Sequence, residues 1–122
     1  MTAWSHLPNA AHIEAVLADV QARPKVWGAA WDAVRSTAWI IAWGEARSAA
    51  RSASWDAAWD ITRGREWGAV RDAIHALIAW PESAALLDLT PDALRTIIST
   101  CDGDVKHQAV LLLPAVIARG TP

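Results

Sequence analysis

The chain has few residues whose types and spacing could do chemistry. Its four histidines are scattered: His6 and His12 lie six residues apart, and His75 and His107 are isolated from them and from each other. No His-Glu-x-x-His pattern occurs, and no Cys and His positions have zinc-ligand spacing. We therefore expect no metal site and no cofactor.

The segment around Cys101 does not indicate chemistry either. No basic residue that would lower the thiol pKa lies between Cys101 and Lys106. Asp102–Asp104 resembles the start of a calcium loop, but Lys106 and His107 occupy the stretch where later oxygen ligands are needed. Nucleophile elbows, P-loops and glycine-rich dinucleotide turns are all missing from the sequence. We predict a protein without catalytic residues that is not an enzyme.

Tryptophan and arginine, in contrast, recur at a fixed spacing. Every fourth residue from 27 to 75 is Trp, Arg or finally His, and seven of the nine tryptophans belong to this column. Small residues and Asp fill the gaps, which makes a degenerate tetrad repeat. The column consists of Trp27, Trp31, Arg35, Trp39, Trp43, Arg47, Arg51, Trp55, Trp59, Arg63, Trp67, Arg71 and His75.

The column has three interpretations. Indoles could fill the space between helices while arginine stems lie across them, they could stack on single-stranded bases, or they could sit at a membrane surface. The formal net charge is −2, and four acids that would repel phosphate sit beside column members, namely Asp32, Asp56, Asp60 and Asp72. We favour a structural core first, a protein-partner surface second, and nucleic acid or membrane last.

The geometry of the column suggests self-association. A four-residue spacing drifts by about 40° per step around an α-helix, so a long column shows indoles on several sides. We expect a dimer or a contact with a host or phage protein, and the alternative is a nucleic-acid-binding accessory protein with exposed Trp and Arg. The candidate interaction surface comprises Trp39, Trp43, Arg47, Arg51, Trp55, Trp59 and Arg63.

Three zones must position these residues within a single domain, 1–122. Residues 1–23 form an N-terminal arm and a helix with apolar positions Ile13, Val16, Leu17 and Val20, for which Asn9 is the expected N-cap. Residues 24–80 form the tetrad-repeat helices, and residues 81–122 form two to three C-terminal capping helices. The predicted fold class is all-α, a compact helical bundle.

Helix boundaries within these zones follow from local signals. In the repeat zone, Thr62–Arg65 is the favoured break because Thr and Gly disfavour helix interiors; Ser36-Thr37 and Ser52–Ser54 are weaker candidates. Further on, residues 82–87 suggest a short helix, and Thr90-Pro91-Asp92 is a strong helix start. A last helix is expected from about Val105 to Ala118.

The expected location follows from three features of the sequence. No apolar stretch approaches the ~18 residues of a membrane span, and the N-terminus does not resemble a signal peptide. Cys101 is the only cysteine, which fits a reducing compartment. We expect a cytoplasmic protein, in the host cell if phage-encoded.

Three motifs carry a resemblance to a known group. They are Leu7–Ile13, the Trp-Asp-Ala-Ala tetrads at Trp31 and Trp55, and Leu111–Ala118. In these motifs the chain resembles the Trp/Ala-rich tetrad-repeat (WDAA-type) helical proteins of tailed phages and viral metagenomes. That group has no assigned activity, so the resemblance implies a phage or prophage origin and nothing about catalysis.

Overall fold

The structure, a computed structural model, describes residues 5–34, 37–50, 55–56 and 68–122. These residues form helices and contain no strand, which confirms the all-α fold class. The predicted breaks at Ser52–Ser54 and Thr62–Arg65, and Ser36, lie outside the described residues. The helices are α1 (Ala10–Ala22), α2 (Pro24–Val34), α3 (Thr37–Ala50), α4 (Gly68–Ala79), a 3₁₀ helix (Pro81–Asp88), α5 (Pro91–Thr100) and α6 (Asp104–Gly120).

Helix α1 buries the apolar face that its periodicity predicted. Ile13, Val16 and Val20 are buried, and Leu17 is half-buried against the same core. The helix ends before Pro24, as expected from the restriction that proline places on the preceding residue.

Asn9 differs from its predicted role. It occupies the N-cap position of α1, but its side chain makes no capping hydrogen bond there. Its amide nitrogen instead donates to the carbonyl oxygens of Leu77, Trp80 and Pro81, at 3.0, 3.4 and 3.1 Å. Asn9 therefore satisfies the Leu77 carbonyl group in the last turn of α4, which an α-helix leaves without an internal partner, and contacts the two carbonyl groups that follow the helix.

The last helix occupies the centre of the bundle. Helix α6 packs against α2, α3, α4, α5 and the 3₁₀ helix, and Leu111 and Leu112 are fully buried within it. In the same interface, Ser83 Oγ donates to Gln108 Oε1 at 2.9 Å, and both residues are buried. The zone that was expected to cap the repeat helices also supplies much of the core against which they pack.

A polar cluster ties the end of α1 to the end of α6. Arg23 forms an ion pair with Asp19 at 2.8 Å, and it donates to Ala118 O at 3.0 Å and to Thr121 O. The buried Trp27 indole N–H also donates to Asp19, at 2.7 Å. The Arg23 guanidinium holds the pKa of Asp19 below its usual value, so this carboxylate stays ionised.

Helix α5 begins as its sequence predicted. Thr90 Oγ1 accepts a hydrogen bond from Ala93 N at 3.1 Å, and Pro91 is the first helical residue. The short helix predicted at 82–87 is present as the 3₁₀ helix. In this part of the chain, capping residues and proline were therefore sufficient to predict where the helices begin.

Candidate functional site

The residues of the predicted interaction surface differ in exposure, and three of them are not described. Arg51, Trp59 and Arg63 lie outside the described residues. Of the others, Arg47 is exposed, Trp39 and Trp43 are half-buried, and Trp55 is buried. Most of the described indole surface is thus covered by the chain itself.

Asp72 lies beneath two of the column tryptophans. Its Oδ2 accepts hydrogen bonds from the indole N–H groups of Trp31 at 3.2 Å and Trp39 at 2.7 Å. The two rings meet edge to face, with centroids 6.2 Å apart. One carboxyl group on α4 therefore holds a tryptophan from α2 and another from α3.

On the sequence alone, Asp72 is expected to repel phosphate, like Asp32, Asp56 and Asp60, but its carboxyl group does not reach the surface. Asp72 is fully buried, whereas Asp32 and Asp56 are exposed; Asp60 lies outside the described residues. Burial raises the pKa of Asp72 to about 7, although the N–H groups of Trp39 and Trp31 and the nearby Arg71 favour the charged form. Its Oδ1 has no hydrogen-bond partner among the described residues, so nothing there solvates the second carboxylate oxygen.

His75, one helical turn further along α4, is the centre of an aromatic cluster. Its ring stacks on Trp55 with centroids 3.7 Å apart and 16° between the planes, and it meets Trp43 edge to face at 6.2 Å. His75 Nε2 lies 3.3 Å from the Trp55 carbonyl oxygen. Burial lowers the pKa of His75 to about 4, so the ring is neutral near pH 7.

Trp43 and Trp55 also contact each other. Their ring centroids are 5.5 Å apart and their planes are inclined by 57°. The Arg47 guanidinium carbon lies 5.7 Å from the Trp43 ring centroid, within the range of a cation–π contact.

The outer face of α3 carries the most exposed large apolar side chains that the structure describes. Ile40 is 62% exposed and Ile41 is 58% exposed. Gly44 lies between them on the helix surface, and a Cβ built there would meet no atom within 4 Å. This face belongs to the repeat zone, at the tetrad Trp39–Ala42 where the pattern departs from small residues.

The remaining histidines and the cysteine lie apart from these clusters. His6 and His12 are exposed, while His107 and Cys101 are half-buried. Within the described ranges, no group of three or more His, Cys, Asp or Glu side chains could hold a metal ion. None of the described helices is both long enough and apolar enough to cross a membrane.

Sequence reasoning missed both buried ionisable groups of α4. A signal was present, because Asp72 and His75 interrupt an apolar stretch formed by Val70, Ala73, Ile74 and Leu77, which are all buried. Polar residues at the same helical turn as buried apolar ones are candidates for interior hydrogen bonding. The column pattern drew attention to the Trp and Arg positions instead.

Comparisons with known proteins found no relative of this chain. No family model, curated protein or solved structure matches this chain.

Proposed function

We propose that this protein is a non-enzymatic helical interaction module that forms a dimer through the outer face of α3. The observation that carries the proposal is the exposure of Ile40 and Ile41, 62% and 58% respectively. Adjacent exposed isoleucines on a single helix are unfavourable in water and are typical of contact sites.

A second copy of the chain is the partner that this face fits best. At about 100° per residue, Glu45 and Arg47 lie on opposite sides of the Ile40–Ile41 face, and both are exposed. The face therefore carries one charge of each sign, so an identical face can complement it, as a two-fold interface requires. Gly44 adds no side chain between the helices and permits close approach.

Nucleic-acid binding, the alternative, has less support. Stacking on bases needs exposed indoles, and the tryptophans of the described repeat zone are buried or half-buried. The formal net charge of −2 does not favour a polyanion either.

The biological setting that we propose rests on sequence alone. The resemblance to WDAA-type phage proteins supports a phage or prophage origin. A single cysteine supports a reducing compartment such as the host cytoplasm. A host or phage protein as the partner is the competing possibility for the α3 face.

The test is light scattering over a concentration series. We expect the wild-type chain to shift from monomer to dimer as concentration rises, and the double variant Ile40→Ser/Ile41→Ser to remain monomeric. Val105→Ser is the matched control, since Val105 is an exposed apolar residue of α6, 38% exposed. It should dimerise like the wild type.

Two outcomes would contradict this proposal. A wild-type chain that is strictly monomeric at high concentration excludes the dimer. A dimer that survives both serine substitutions excludes α3 as its interface. In a separate titration with labelled single-stranded DNA, micromolar binding that weakens steeply with salt would favour the nucleic-acid alternative.

A further inference from the structure

A small cavity opens beside the aromatic cluster, between α3 and the helical pair Trp55–Asp56. Its volume is about 270 Å³, and it is lined by Trp43, Arg47, Trp55 and Asp56. Sites for drug-sized ligands usually measure ~300–1,000 Å³. This cavity therefore suits a ligand of amino-acid size better than a nucleotide.

The two indoles form walls that are supported from behind. His75 stacks on Trp55 at 3.7 Å and contacts Trp43 edge to face at 6.2 Å. His75 itself is fully buried on α4. Because the imidazole packs against both rings, the indole side of the cavity is formed without a ligand, which lowers the entropic cost of binding.

Charges of opposite sign line the same cavity. Arg47 and Asp56 are both exposed, and within the described residues they form no ion pair with each other. The Arg47 guanidinium is placed over Trp43, with its carbon 5.7 Å from the ring centroid. A ligand in the cavity would thus meet a cation, an anion and the half-buried indole of Trp43.

We propose that this cavity binds a small zwitterion with an aromatic or apolar side group, which is the chemistry of a free α-amino acid. The ligand carboxylate contacts the Arg47 guanidinium, which has the planar donor geometry that suits carboxylates. The ligand ammonium contacts Asp56, and the side group lies mainly against Trp43, which is half-buried, because Trp55 is only 4% exposed. Neither Ile40 nor Ile41 lines this cavity, but Arg47 borders both the cavity and the Ile40–Ile41 face. Asp56→Asn therefore tests ligand binding without changing a residue of the proposed dimer contact.

The first experiment is isothermal titration calorimetry of the full chain with L-phenylalanine as the probe. Phenethylamine has the ammonium without the carboxylate, hydrocinnamate has the carboxylate without the ammonium, and glycine lacks the aromatic group. We expect L-phenylalanine to bind and each of the other three to bind at least about ten-fold more weakly, the loss that follows from removing a charged hydrogen bond or an apolar contact.

Variants assign the two charges to their residues. Arg47→Gln and Asp56→Asn should each weaken L-phenylalanine binding by about ten-fold or more. Both residues are exposed, so the fold should persist, and circular dichroism checks it. Arg95→Gln and Asp92→Asn are matched controls, because these residues form an exposed ion pair on α5 at 3.2 Å; they should leave binding unchanged.

Three results would overturn the proposal. The first is the absence of L-phenylalanine binding up to millimolar concentration. The second is equal binding of L-phenylalanine, phenethylamine and hydrocinnamate, which would indicate an apolar cavity without charge recognition. The third is wild-type affinity in both Arg47→Gln and Asp56→Asn.

Discussion

At the scale of single residues, Asp72 and His75 show how burial sets protonation. Both are fully buried on α4, one helical turn apart. Burial disfavours the charged form of each, which raises the pKa of Asp72 to about 7 and lowers that of His75 to about 4. Both groups are therefore neutral in mildly acidic solution.

These two pKa shifts act on stability in opposite directions. For Asp72 the folded pKa lies above the ordinary value of 3.8, so the stability linked to its proton is lost as pH rises from about 4 to about 7. For His75 the folded pKa lies below the ordinary value of 6.5, so stability is lost as pH falls from about 6.5 to about 4. The two contributions offset each other across most of that range.

We predict that Asp72→Asn exposes the contribution of His75. The asparagine oxygen can still accept hydrogen bonds from the N–H groups of Trp31 and Trp39. The side chain no longer titrates, so nothing offsets the effect of His75 on stability. The free energy of unfolding should then fall by about 1.4 kcal/mol per pH unit as pH drops below about 6.5, while the wild type changes much less. Urea unfolding at a series of pH values measures this slope.

The companion variant is His75→Gln, which should show the opposite slope. Its stability should decrease as pH rises from about 4 to about 7, because only Asp72 then titrates in that window. If both variants keep the wild-type pH profile, the assignment of this linkage to Asp72 and His75 is wrong.

Gly68 and Gly44 provide a matched pair of substitutions. A Cβ at Gly68 would lie 2.6 Å from two ring carbons of Trp31, so Gly68→Ala forces the indole or the helix to shift. We expect a loss of about 1–3 kcal/mol in the free energy of unfolding. Gly44→Ala meets no atom within 4 Å and should stabilise by up to about 1 kcal/mol. Chemical denaturation at concentrations where the chain is monomeric measures both changes in the free energy of unfolding. Similar effects at both sites would refute the close approach of Trp31 to Gly68.

At the scale of helices, local sequence signals explain where a helix begins better than they explain which groups bind the free carbonyl groups at its end. Thr90 and Pro91 begin α5 through a hydrogen bond that spans only three residues. The end of α4, in contrast, depends on Asn9, whose partner Leu77 is 68 residues away. The same residue type that indicated a cap for α1 closes a different helix.

We predict that Asn9 stabilises the end of α4 through its amide donor. Asn9→Ala should lower the free energy of unfolding by about 1–3 kcal/mol, because buried carbonyl groups lose their partner. Asn9→Asp should cost more, since a carboxylate would face the carbonyl oxygens of Leu77 and Pro81. Thr90→Ala, which removes an exposed cap, should cost about 1 kcal/mol. Equal stability of wild type and Asn9→Asp in thermal unfolding would contradict this role.

At the scale of the whole molecule, tryptophan supplies the large side chains of an alanine-rich chain. The chain has nine tryptophans and no Phe or Tyr. Trp27, Trp31, Trp55 and Trp80 are buried. The helices of the repeat zone pack on one another and on α6, and these buried indoles belong to the shared hydrophobic core.

Intrinsic fluorescence should report this burial directly. We expect emission that is shifted to the blue relative to the urea-unfolded chain and poorly quenched by acrylamide, because most described indoles contact the core rather than water. The unfolded chain is the internal control for quenching. Water-like emission from most indoles in the native protein would contradict the packing described above.

The sequence by itself determined the helical class, the buried stripe of α1 and the start of α5. Each of these follows from interactions within one or two helical turns, which periodicity and capping residues report. It also indicated that tryptophan would be core material, because the chain offers no other aromatic residue.

Only the tertiary structure decided which helix meets which. Trp31 with Asp72, Trp55 with His75, and Asn9 with Leu77 are contacts between residues far apart in the chain. A four-residue repeat is compatible with several packings, because its winding column offers indoles on every side. The sides of each helix that its neighbours cover determine which groups are exposed. They leave one face of α3 exposed and bury the carboxyl and imidazole groups of α4.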